Sequence, residues 1–140
     1  MRILGLDIGE RRIGVSISDE LEITAQGIEV IVRESDTLLF SHLEKLINKY
    51  QVKEIVVGLP KEMSGKMGIQ ANKILKLVET MKLNLSIPIK TWDERLTTKI
   101  AKNTLKNAPL KKRKQKGTVD KLAAILILQN YLDLKGQTLK

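Results

Sequence analysis

The sequence predicts an α/β sandwich on a mixed sheet. Three short runs rich in β-branched residues come first, and helix and strand alternate after them. The crossovers Ser35–Gly58 and Pro60–Trp92 are long enough to form right-handed parallel units. At 140 residues, one domain covering 1–140 is expected, with five strands and helices on the sheet.

The opening run Arg2–Ile8 is apolar apart from Arg2 and Asp7 and stops at Gly9, so it reads as a buried strand. Glu10-Arg11-Arg12 forms a turn. Ile13–Ser18 alternates apolar and polar residues, which suits a strand paired back as a hairpin. Ile23–Val32 is the third strand. Ser35 or Asp36 caps a helix through Lys49, with Leu39, Leu43, Leu46, Ile47 and Tyr50 facing inward. Glu54–Gly58 is a strand closed by Leu59-Pro60. A helix is expected over about 67–82 and a strand over Ile87–Trp92, where Pro88 near the start tolerates its missing donor. Another helix spans about Arg95–Lys106, ended by Ala108-Pro109. Leu110–Gly117 is a basic connector, and the last helix runs from about Thr118, its cap, to Leu134.

Composition removes several kinds of chemistry. With no Cys there is no disulfide scaffold, thiolate zinc site or cysteine nucleophile. The single His, His42, falls on a helix surface, which leaves no Ser-His-Asp triad and no His-rich metal site. The longest apolar run, Leu122–Leu128, is far shorter than a membrane span, and no secretory leader pattern opens the chain. A cytoplasmic protein with no membrane partner is expected.

The charge is +9, and all of the excess sits in one stretch. Residues 95–119 hold Arg95, Lys99, Lys102, Lys106, Lys111, Lys112, Arg113, Lys114 and Lys116, and no acid; the remainder is neutral. Arg95, Lys99, Lys102 and Lys106 recur at helical spacing and share one stripe. Such a patch favours a polyanion, because neutralising phosphates releases condensed counterions. It contains no aromatic residue, so it suits backbone contact rather than base stacking. Lys116 and Gly117 stand where a phosphate meets the N-terminus of the last helix.

Three acidic positions stand out. Asp7 lies in an apolar strand, where a carboxylate must be paired, hydrogen-bonded or metal-bound. Asp93 and Glu94 follow the strand ending at Trp92, and adjacent residues point different ways, so one of them can share a site with Asp7. Asp120 opens the apolar last helix directly after the basic connector. As structural acids, Asp93, Glu94 and Asp120 would complement helix dipoles. As a group, clustered carboxylates need a shared cation. Oxygen ligands select Mg²⁺ or Mn²⁺, and two such ions about 3.5–4 Å apart activate water and stabilise the leaving oxygen of a phosphodiester.

Four stretches resemble the YqgF family of pre-16S rRNA nucleases: Leu4–Asp19 (LGLDIGERRIGVSISD), Val56–Gly65 (VVGLPKEMSG), Trp92–Thr98 (WDERLTT) and Asp120–Gln129 (DKLAAILILQ). They lie in family order and span nearly the whole chain. The resemblance implies a ribonuclease H-like fold, as in Holliday-junction resolvases of the RuvC type. It implies a catalytic and metal-holding triad of Asp7, Glu94 and Asp120, and a role in trimming the 5′ end of the small-subunit rRNA precursor. Where RuvC-type sites carry a second acid in the last helix, Ala123 stands here. Arg12 in the first turn, with Arg95, Lys99, Lys111, Lys112, Arg113, Lys114 and Lys116, is the expected nucleic-acid contact. The competing substrate is branched DNA, which requires two active sites and hence a homodimer in place of a monomer. The non-enzymatic alternative is an RNA-binding ribosome assembly factor.

Overall fold

The structure of the chain, a computed structural model, describes residues 1–60, 68–93 and 116–138, and the side chains of 121–136 within the last segment. The expected helix Arg95–Lys106 and the connector residues up to 115 lie outside the described residues.

Strands β1 (Arg2–Ile8), β2 (Arg12–Ser18) and β3 (Ala25–Val32) form an antiparallel meander. Helix α1 (Asp36–Tyr50) returns the chain to β4 (Val52–Leu59), which runs parallel to β1. Helix α2 (Ile69–Asn84) leads to β5 (Ile89–Asp93), parallel to β4, and helix α3 (Lys116–Thr138) follows. The sheet order is β3-β2-β1-β4-β5, the mixed five-stranded sheet expected from the sequence.

The cap and breaker residues act where they were expected. Ser35 caps α1, its hydroxyl oxygen accepting from the Leu38 N–H at 3.2 Å. Gln51 ends α1 in the left-handed region at φ 55°. Pro88 stands just before β5, and its carbonyl accepts from the Ile55 N–H at 2.9 Å, so only its donor is missing. Several bounds move: β3 begins at Ala25 rather than Ile23, β4 spans Val52–Leu59 rather than Glu54–Gly58, β5 spans Ile89–Asp93 rather than Ile87–Trp92, and α2 spans Ile69–Asn84. Helix α1 also buries Phe40, while Tyr50 is half-buried. Helix α3 starts at Lys116, so Lys116, Gly117 and Thr118 are helical rather than connector and cap.

Strand alternation sorts the side chains into two layers. Leu4, Leu6, Ile8, Ile13, Val15, Ile17, Ile55, Val57 and Leu59 pack against α1 and α2. On the other face Ile3 and Val56 pack against Ile127, Leu128, Tyr131 and Leu132 of α3, with Trp92 alongside. Trp92 and Tyr131 meet edge to face at 5.5 Å between centroids.

Helix α3 comes unusually near the sheet. A Cβ added to Gly5 would stand 2.5 Å from Ser16 Oγ and 2.8 Å from Leu128 Cβ. One added to Gly27 would stand 3.1 Å from Ile125 Cδ1. The same approach lets buried Ser16 donate its hydroxyl to the Ala124 carbonyl at 2.8 Å. Further along, Gln129 Oε1 accepts from the Ala25 N–H at 2.9 Å, and its Nε2 donates to the Ile23 carbonyl at 2.8 Å.

At the N-terminal end of β4, Glu54 is buried beneath α3. Tyr131 Oη donates to it at 3.1 Å and Lys135 Nζ at 3.2 Å, while Lys90 Nζ lies 3.3 Å from its other oxygen. Lys135 also reaches Glu22, which pairs with Lys53 at 2.6 Å. Burial alone would push the Glu54 carboxyl up; the bonds from Lys135 and Tyr131 outweigh it and hold it below its ordinary value of 4.5. Among the described residues no helix is long and apolar enough to cross a membrane.

Two predictions test this packing. Gly5→Ala overfills the contact with α3 and should cost about 1–3 kcal/mol, read as a lower melting temperature by calorimetry. Glu54→Ala should cost about 1–3 kcal/mol, since Tyr131 and Lys135 lose their acceptor. The lowered Glu54 pKa gives stability that is full above pH 4.5 and lost as pH falls through the folded-state value. Denaturant titrations below pH 4.5 should therefore show a shallower acid loss in Glu54→Gln than in the parent chain.

Candidate active site

Asp7 is the sixth residue of β1, half-buried between buried Leu6 and Ile8. Alternation from Ile3 and Gly5 puts it on the α3 face. Its cross-strand partner on β2 is Gly14. On β4 the register Leu6↔Val57 brings Gly58 to its other side. Neither neighbour has a side chain to cover the carboxylate, so β1 presents Asp7 in a slot between two glycines.

The same register runs on to β5, where Gly58 pairs with Trp92 and Leu59 with Asp93. Trp92 packs on the α3 face, and Leu59 belongs to the opposite layer. Asp93 therefore falls on the face away from Asp7. By alternation, Glu94 rather than Asp93 is the one that could turn toward Asp7, a choice the sequence left open. Glu94, the next residue, lies outside the described residues.

Helix α3 runs opposite to β1. Tyr131 and Lys135 meet Glu54 at the start of β4, and Leu128 and Ala124 lie over Gly5. Asp7 is two residues beyond Gly5, about 6.7 Å along the strand. Asp120 is four residues before Ala124, about 6 Å along the helix. Both steps point toward the C-terminal end of β1, so the backbone of Asp120 comes level with Asp7. The first turn of α3 contains no acid, so Asp120 lies past the turn where a helix dipole would favour it.

Arg12 opens β2 on the same face as Gly14, Ser16 and Asp7 by alternation. The turn before it is tight: the Gly9 N–H donates to the Arg12 carbonyl at 2.9 Å, and a Cβ at residue 9 would stand 2.8 Å from that oxygen. Only glycine fits there. Arg33, which sequence reasoning missed, braces this turn. Its Nη1 donates to the Gly9 carbonyl and its backbone N–H to the Arg11 carbonyl, each at 2.9 Å. Its place just past β3 carried no motif signal, because its use depends on the hairpin register.

The expected basic contacts Arg95, Lys99, Lys111, Lys112, Arg113 and Lys114 lie outside the described residues. Lys116 is the first residue of α3, and Gly117 the second. His42 sits on α1 with its Nε2 3.1 Å from Glu29 Oε1, away from the α3 face. Among the described residues, no three acidic, His or Cys side chains gather closely enough to hold a metal ion. The donor at Asp7 is a hard oxygen in a partly dry slot, which fits Mg²⁺ or Mn²⁺ better than a softer metal.

Comparisons with known proteins agree with this architecture. The family model described as RuvX, Holliday junction resolvase, matches residues 1–134. A Halothermothrix orenii protein named "Putative pre-16S rRNA nuclease" is 47% identical over 137 residues, covering 98% of each chain. A Clostridium botulinum relative of the same name is 51% identical over 133 residues, covering 95% of this chain and 97% of its own. Among solved structures, Thermus thermophilus RuvC in complex with a Holliday junction substrate overlays with a TM-score of 0.58 at 15% identity, covering 99% of this chain and 97% of that one. The fowlpox virus resolvase, also with Holliday junction DNA, gives 0.58 at 14% identity, covering 96% and 99%. Those overlays establish a RuvC-like, ribonuclease H-like fold, and the full-length matches in sequence show that this chain belongs to the RuvX family.

Proposed function

We propose that this chain is a divalent-metal-dependent nuclease that trims the 5′ end of pre-16S rRNA, working as a single domain in the cytoplasm. The observation that carries the reading is Asp7: a half-buried carboxylate between Gly14 and Gly58, with the Asp120 backbone level with it across the α3 face. The names of the relatives supply the substrate.

Asp7, Glu94 and Asp120 would hold Mg²⁺ or Mn²⁺ through carboxylate oxygens. When bound, such ions activate water for in-line attack on phosphorus and stabilise the leaving oxygen. The chain's own part is to place the acids and the RNA. Strand β1 fixes Asp7 by its pairing with Gly14 on β2, next to the Leu6–Val57 pair on β4. The glycines beside it leave room for a phosphate oxygen. Arg12, held by the Gly9 turn, neutralises backbone charge on the same face. The Lys111–Lys116 run, with Arg95 and Lys99, extends that contact along the strand without reading bases.

The test is cleavage of a 5′-extended rRNA precursor by purified protein with Mn²⁺ or Mg²⁺. Asp7→Asn should reduce it by more than about a hundredfold, since removing even an outer-shell partner of a metal costs about 10–100-fold. Its melting temperature should stay near that of the parent. Cleavage that persists in excess chelator would overturn the metal mechanism. Equal RNA maturation in cells carrying either protein would favour the assembly-factor reading. A four-way DNA junction in the same assay, with the solution mass, separates the resolvase reading, which needs a dimer.

A further inference from the structure

We propose that Ser16 and Gln129 are positioning residues that set the register of α3 on the sheet, and through it the spacing between Asp7 and Asp120. Both belong to the sequence motifs, yet neither reaches the candidate site. The inference rests on the nuclease reading only in its second half.

The contact between the first half of α3 and the meander is made by small residues. Gly5 and Gly27 line the sheet, and Ala123 and Ala124 are buried on the helix. Such a surface permits close approach, with Leu128 over Gly5 and Ile125 over Gly27. Apolar attraction is non-directional and does not supply a stop. Directional bonds do: Tyr131 and Lys135 fasten the far end of α3 to Glu54, and Ser16 and Gln129 fasten the part nearer Asp120. The Ser16 hydroxyl, fully buried, reaches the Ala124 carbonyl at 2.8 Å, one helical turn from Asp120. Ala124 is inside a helix, so this bond adds to the helix ladder and fixes position more than it rescues an orphan group.

Gln129 makes the second fastening. Its amide takes the Ala25 N–H at 2.9 Å and gives to the Ile23 carbonyl at 2.8 Å. It also donates to Asp133 at 2.9 Å, which holds the amide's orientation from within the helix. The two fastenings are five residues apart on α3 and tie it to different strands, β2 and the start of β3. A shift of α3 by one residue, about 1.5 Å, would break both.

The experiment uses the full chain, which has no native cysteine. Nitroxide labels at Lys45→Cys on α1 and Gly136→Cys on α3 report the helix position as a distance distribution. Ser16→Ala, Gln129→Met and the double variant are compared with Val78→Ala, a core truncation in α2 on the opposite face. The parent and Val78→Ala should give one narrow distribution, and the double variant a broadened one displaced by about 1.5 Å or more. Mn²⁺ affinity, followed by the free-ion resonance, should fall about tenfold in the double variant and stay unchanged in Val78→Ala at matched thermal stability. For the RNA substrate, kcat should fall with KM unchanged. Gln129→Glu, which keeps the acceptor for Ala25 and loses the donor to Ile23, should be intermediate; it and Ser16→Ala carry the test if the double variant does not fold. Distance distributions identical to the control overturn the register role. A displaced helix with unchanged Mn²⁺ affinity overturns the link to Asp7 and Asp120. If parent Mn²⁺ binding is indifferent to Asp7→Asn, the nuclease reading and that link fail together, while the distances still decide the register role.

Discussion

The near approach of α3 to the sheet is the constraint on which the rest of the molecule depends. It requires Gly5 and Gly27 on the sheet, because a methyl group at Gly5 would strike Ser16 and Leu128. It requires a buried face of alanines on the helix. It also sets which groups meet: Ser16 with the Ala124 carbonyl, and Gln129 with the strand entering β3. Ala123 belongs to this contact and is almost fully buried. A carboxylate at that position would have to leave the interface or be desolvated within it.

The two ends of the sheet divide the polar work. At the N-terminal ends of the parallel strands, Glu54 and Glu22 are matched by Lys53, Lys90 and Lys135, and Tyr131 supplies a hydroxyl. These charges are satisfied internally and anchor the C-terminal part of α3. At the C-terminal ends, Asp7 lies between glycines, with the Gly9 turn and Arg12 next to it. That is the end where ligands of open α/β sheets bind, beyond the carboxyl ends of the strands. The helix thus runs from an anchored end to the end that carries the candidate site.

Much of this was legible in the sequence, and the gaps have physical causes. Asp7 announced itself because a carboxylate in an apolar strand needs a reason. The meander, α1 and its Ser35 cap followed from periodicity and capping chemistry. Asp93 and Glu94 could not be separated, because which face a residue takes depends on register; the pairing of Leu59 with Asp93 puts Asp93 on the face away from Asp7. Ser16 and Ser18 are the polar positions of a strand read only as alternating. Both are buried, since α3 covers that face, and one strand's alternation carries no notice of a second layer. Gln129 and Arg33 were illegible for the same reason: their partners are backbone groups brought near only by the fold. The boundary at Lys116 moved because basic residues are good helix formers as well as loop residues.

The bond from Ser16 to Ala124 joins residues 108 apart in sequence. The meander can close early, because its contacts are local, whereas seating the final helix carries the entropic burden of a long loop closure. The docked position of that helix is therefore the part of the fold that depends most on contacts distant in sequence. A cation gripping residues on both partners would bind only the docked form, and mass action would make its concentration a lever on how long the helix stays down.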